Sequence, residues 1–113
     1  MSRQPEPHTC DVAQTIRLIG GKWKAIILFH LMKDEVLRFS QLQRDIPDIT
    51  QRMLTLQLRE LERDGIVKRT VYQQIPPKVE YSLTPLGKSL TPIIAAMKVW
   101  GSEYKTTLGV VTA

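Results

Sequence analysis

Val12, Ile16 and Ile19 recur at steps of four and three, the spacing of one helical face, and predict a short helix over Asp11–Ile19. The glycine pair Gly20-Gly21 ends it. From Lys22 to Met32 nearly every position is apolar, which predicts a central helix buried on all sides. His30 lies on that helix and is expected as a hydrogen-bonded, buried or half-buried histidine, not a ligand or catalytic base. Leu37-Arg38-Phe39 suggests one short strand, with Ser40 as N-cap of a helix carrying Leu42 and Ile46. Pro47-Asp48 supplies a tight turn. Thr50 is expected to cap the next helix, with Ile49 and Leu54 as a hydrophobic staple. Leu54, Leu58 and Leu61 form its buried stripe, and Gly65 stands where a C′ glycine ends a helix. Two helices joined by so short a turn fit a helix-turn-helix over 39–65.

Beyond Gly65 the period changes. Ile66–Tyr72 is rich in β-branched residues and Val79–Leu83 alternates, so residues 66–83 predict a hairpin with a proline-stiffened tip at Gln73–Lys78. Thr84-Pro85 then starts the last helical region, Thr as N-cap and Pro at N1. From there Leu86, Leu90, Ile93, Met97, Trp100 and Tyr104 recur at alternating steps of four and three, a narrow seam of the kind that pairs helices. Packing on the chain's own core is the competing reading, but a seam this long in so small a chain favours a second subunit. Pro92 lies inside it and is expected to kink or split the helix, because it removes the bond to Lys88. The expected fold is mainly α with a small β-hairpin wing, a winged helix-turn-helix with N- and C-terminal dimerisation helices. Val12, Ile16, Ile19, Leu90, Ile93, Met97, Trp100 and Tyr104 would pair the subunits. Residues 1–9 are expected as a flexible arm, 10–104 as the domain with dimerisation helices over 84–104, and 105–113 as a flexible tail.

The chain has 113 residues, 42% of them hydrophobic, which fits one small domain and excludes a two-domain enzyme. Sixteen Lys and Arg against eleven Asp and Glu leave a formal charge of +5, compatible with a polyanionic partner. No apolar run reaches the roughly 18–20 residues of a membrane span, and from the polar, proline-bearing start no secretory leader is expected. One cysteine, Cys10, has no internal partner, which points to a reducing cytoplasm. His8 and Cys10 lack the further ligands a zinc site needs, so no metal is expected, and no other cofactor. Neither a glycine-rich phosphate loop nor a nucleophile elbow occurs, and no nucleophile–base–orienter set can be named. The expectation is a protein that is not an enzyme.

At about 100° per residue, Arg52, Thr55, Arg59 and Arg63 point away from the Leu54/Leu58/Leu61 stripe, with Gln51 on the flank. These are the side-chain types that meet guanine, adenine and phosphate. Leu56 also lies outward, toward thymine methyls or a neighbouring subunit. Glu60 and Glu62 are interleaved with the arginines, so this helix alone fits a solvated surface equally well. A hairpin bearing Arg69 and Lys78 directly after it completes the winged-helix order and favours DNA. The alternative is a winged-helix protein-interaction module without specific DNA binding.

Several local motifs occur together in one order: Cys10, Gly20-Gly21-Lys22-Trp23, Ile49-Thr50-Gln51-Arg52-Met53-Leu54-Thr55, and Leu58 through Gly65. Pro76-Pro77-Lys78-Val79-Glu80-Tyr81-Ser82-Leu83-Thr84-Pro85-Leu86-Gly87 and Trp100 complete the series. In this the chain resembles the HxlR-type bacterial transcription regulators, relatives of the MarR group, over about residues 10–104. The resemblance implies a winged-helix homodimer on double-stranded, pseudo-palindromic operator DNA. First and last helices would form the dimer, the helix from Thr50 would enter the major groove, and the wing would reach the flanking minor groove or backbone. The implied DNA contacts are Lys22, Ser40, Thr50, Gln51, Arg52, Thr55, Arg59, Arg69, Gln73 and Lys78. Cys10 matches the cysteine that senses oxidants or electrophiles in several members. It stands just before Asp11 at a helix start, where unpaired N–H groups favour an anion and the neighbouring carboxylate opposes it. The competing reading is an inert cysteine packed in the dimer seam. Two departures stand out: Leu56 is bulkier than a DNA-facing position needs, and the single thiol excludes sensing by a bridge within one chain.

Overall fold

Side-chain caps and glycine stops divide the chain into short helices around a small sheet. The computed structural model describes residues 10–109. In chain order these form α1 (Asp11–Ile19), α2 (Lys24–Asp34), β1 (Val36–Leu37), α3 (Phe39–Asp45), α4 (Gln51–Arg63), β2 (Val67–Tyr72), β3 (Lys78–Leu83), α5 (Pro85–Lys88) and α6 (Thr91–Thr107). The expected arm over 1–9, His8 included, lies outside the described residues, as do residues 110–113 of the expected tail.

Several boundaries follow from local chemistry. Thr50 Oγ1 accepts the Met53 N–H at 3.1 Å, and Thr84 Oγ1 accepts the Gly87 N–H at 3.0 Å with Pro85 following as N1. The α4 helix ends in a Schellman motif: Gly65, at φ +77°, donates to Glu62, and Ile66 donates to Leu61. Only a residue without Cβ adopts that conformation without strain. Gly87 answers a different need, since a Cβ there would collide with the Ile66 carbonyl where α5 crosses the start of the wing.

The sheet is antiparallel, in the order β1-β3-β2. Val67 pairs with Leu83 and Arg69 with Tyr81, while Leu37 pairs with Tyr81 from the other side. Because side chains alternate, this register puts Leu37, Val67, Tyr81 and Leu83 on the inner face, and all four are buried. They close over Ile27, Leu28 and Leu31 of α2, Leu42 of α3, and Leu54, Leu58 and Leu61 of α4. Aliphatic residues supply most of this core.

The structure corrects several expectations. The second helix starts at Lys24, leaving Lys22 and Trp23 in the preceding turn. It is not buried all round: Ile26 is exposed and Ala25 and Phe29 half-buried, bordering an apolar groove toward α6. His30 is half-buried against the edge of Phe29, but its Nδ1 has no hydrogen-bond partner among the described residues. The short strand is Val36–Leu37, and Phe39 already belongs to α3. Ser40 is therefore inside the first turn and does not cap it; Gln41 caps the start, its Oε1 accepting the Arg38 N–H at 2.8 Å. Pro92 does split the last helical region, falling in the first turn of α6. That helix runs through Thr107, past the expected start of the tail. Ile19, expected on the pairing face, is 3% exposed and belongs to the core, because α1 turns that residue inward at Gly20. Leu90 likewise packs partly against the core.

The radius of gyration is 15.9 Å, above the roughly 13 Å of a compact domain of this length. Exposed apolar side chains concentrate on the terminal helices: Val12 and Ile16 on α1, and Ile93, Met97, Val99, Trp100 and Tyr104 on α6. Trp100 is 67% exposed and stacks on Tyr104, 5.2 Å between ring centroids.

Candidate nucleic-acid interface

The N-cap hydroxyl of Thr50 fixes where α4 begins and hence which way its first turn faces. Leu54, Leu58 and Leu61 anchor one side in the core. The opposite side carries Thr50, Gln51, Arg52, Thr55, Leu56 and Arg59 around one open concavity. Thr55 Oγ1 donates to the Gln51 carbonyl at 2.9 Å, which fixes its rotamer and leaves its lone pairs as acceptors. Gln51, Arg52 and Arg59 are exposed and free to extend.

A second concavity adjoins the first. Arg69 of β2 reaches it beside Thr55, Leu58, Arg59 and Glu62, with Tyr81 of β3 at its wall. The wing and the α4 face therefore share one surface on which Arg52, Arg59 and Arg69 concentrate positive charge. Such a surface is complementary in charge to a phosphodiester backbone.

The remaining expected contacts do not line either concavity. Lys22 sits ahead of α2 with its ammonium 4.7 Å from the Trp23 ring centroid. Ser40 is exposed on α3, and Gln73 is exposed on the wing. Lys78 is the clearest departure. Its Nζ lies 3.4 Å from Glu80 and 4.9 Å above the Tyr72 ring, so its charge is largely compensated within the hairpin. Glu80, hydrogen-bonded to the Tyr72 hydroxyl, also holds that phenol above its usual pKa. Beyond this cluster the tip is Gln73-Gln74-Ile75-Pro76-Pro77, neutral and wholly exposed.

One ion pair beside this surface escaped the sequence reading. Lys24 Nζ meets Glu60 Oε1 at 2.7 Å, with the Lys24 side chain only 11% exposed. The hydrogen bond and charge of Lys24 hold the Glu60 carboxyl below its usual range. Glu60 is thus turned to the side of α4 and neutralised, which removes one of the two acids that argued for an ordinary solvated face. A lysine inside an otherwise apolar run was the available signal. Cys10, the lone cysteine, is exposed at the N-cap of α1, its Sγ accepting the Ala13 N–H at 3.4 Å. Among the described residues, no group of three or more His, Cys, Asp or Glu is placed to hold a metal, and no helix is long and apolar enough to cross a membrane.

Known proteins share both sequence and fold. The family pattern described as HxlR-like helix-turn-helix matches residues 18–108. The HTH-type transcriptional regulator YdeP of Bacillus subtilis is 59% identical over 96 residues, covering 85% of this chain and 74% of that protein. The redox regulator HypR in its oxidised form superposes with a TM-score of 0.80 at 57% identity, covering 83% of this chain and 96% of the other. Diamide-treated YodB of B. subtilis superposes at 0.69 with 34% identity, over 86% and 96% of the two chains. With its capped α4 helix, its wing and a match spanning most of its length, the chain belongs to the HxlR-like helix-turn-helix family of DNA-binding transcriptional regulators.

Proposed function

We propose that this regulator binds as a homodimer to a two-fold symmetric operator in the cytoplasm and that Cys10 is where an oxidant or electrophile acts on it. The observation that carries the operator reading is the shared concavity on α4, where Gln51, Arg52, Thr55 and Arg59 face solvent from a helix anchored by three buried leucines. Gln51, Arg52 and Thr55 lie at the N-terminal end of α4, the part of a recognition helix that meets base edges. Arg59 and Arg69 stand where phosphates would pass. Lys22, Ser40 and Gln73 are outlying backbone contacts in this reading. The exposed apolar faces of α1 and α6 supply the dimer surface through Val12, Ile16, Ile93, Met97, Trp100 and Tyr104. Two subunits then present two α4 helices to half-sites about one DNA turn apart. The exposed thiol of Cys10 supports the sensing role, as does similarity to regulators described as redox-responsive.

The decisive experiment measures binding to DNA from around the gene, with and without competitor DNA, across a salt series. A specific site that survives competition, with affinity falling steeply as salt rises, is expected. Equal affinity for unrelated sequences would overturn the operator reading.

A further inference from the structure

We propose that Leu56 recognises the 5-methyl group of a thymine in each operator half-site, an inference that rests on the placement of α4 in the major groove. Leu56 is 46% exposed, while Leu54 and Leu58, two residues to either side, are at most 1% exposed. It lies one turn beyond Arg52 and three residues before Arg59, on the ridge formed by i, i+4 and i+7 positions. The same concavity holds all three side chains.

This placement restricts what Leu56 can meet. On a ridge whose neighbours are two guanidinium groups, water is better served by a polar residue, and the described elements leave nearly half of Leu56 uncovered. The apolar groove between α2 and α6 is lined by a separate set of residues, Ala25, Ile26, Phe29, Ile94, Met97 and Lys98, so Leu56 is not an extension of it. An isobutyl group offers no hydrogen bond to a base edge or a phosphate. The apolar group displayed in the major groove is the thymine methyl. With Arg52 and Arg59 holding polar or anionic groups on either side, Leu56 would be pressed against the groove floor between them. The bulk that looked excessive for a DNA-facing position becomes the reach needed to touch that methyl.

The test replaces thymines of the operator one position at a time by deoxyuridine, in both half-sites. This substitution removes the methyl and leaves base pairing and the O4 acceptor intact. Wild type is expected to lose about fourfold in affinity per half-site at one position, the worth of one buried methyl group. Leu56→Ala is expected to bind thymine and deoxyuridine operators equally at that position and to keep the wild-type salt slope. Leu56→Met, which retains apolar reach, restores the discrimination. Because Leu56 is exposed, both variants should match wild type in urea unfolding, which separates a contact effect from misfolding. The inference is overturned if wild type is indifferent to deoxyuridine at every position, or if Leu56→Ala keeps the same thymine preference. Loss of sequence-specific binding by wild type itself would overturn the placement of α4 along with it.

Discussion

Arg52 and Lys78 carry the same charge on the same molecule, yet their surroundings assign them different work. Arg52 extends from the first turn of α4 without an intramolecular ion pair among the described residues, whereas Lys78 is held by Glu80 and Tyr72. Arg52→Ala is expected to cost about 1–3 kcal/mol on the specific site and to relax preference at one base pair, measured by competition binding. Arg59→Ala is expected to weaken all sequences alike and reduce the salt slope by about one. Lys78→Ala should change that slope less, since Glu80 already balances its charge. The ion pair between Lys24 and Glu60 has a pH signature of its own. Glu60 titrates lower in the folded chain than in the unfolded one, so its contribution is complete above the ordinary carboxylate range and disappears as pH falls through the lowered value. Thermal midpoints taken from neutral pH down to about pH 3 should therefore fall less steeply for Glu60→Gln than for wild type. Equal slopes would show that the pair does not contribute.

Among the elements, α4 was the most legible from sequence, because every signal that defines it is local. Thr50 caps it, three leucines at steps of four and three bury it, and Gly65 ends it, all as expected. Gly65→Ala should cost about 1–2 kcal/mol by urea unfolding, the strain of a left-handed alanine. Gly87→Ala should cost about 1–3 kcal/mol or more, because the clash is with backbone that cannot rotate away. The errors share a physical cause: they lie where partners distant in sequence decide. Ser40 was a good cap by type, yet β1 pairing with β3 sets where α3 starts. Ile19 shared a helical face with Val12 and Ile16, but only the end of α1 meets the core. Lys24 stood out in an apolar run, but its pairing was unreadable for the same reason, since Glu60 lies thirty-six residues away on another helix.

For the whole molecule, the apolar faces of α1 and α6 matter most. Met97→Glu should leave a folded monomer, because Met97 is exposed in the single chain, and sedimentation at micromolar concentration should show it. Operator affinity should drop with it, as half-sites are then bound one at a time. Cys10→Ser and wild type should bind the operator equally before diamide or a quinone is added, and only wild type should respond afterwards. Identical responses would remove Cys10 from the mechanism. In the proposed dimer, α2 is the element through which a change near α1 or α6 would travel to the DNA. Near its start Lys24 grips Glu60 of α4, and along its outer side Ile26 and Phe29 border the groove with α6. One helix eleven residues long thus touches both α6 and α4, the elements assigned above to the subunit contact and to DNA reading. In the proposed dimer, a tilt of α2 on its α6 side would be passed to α4 through the Lys24–Glu60 pair, so the pitch between two reading heads would be set by a lever and not by a hinge.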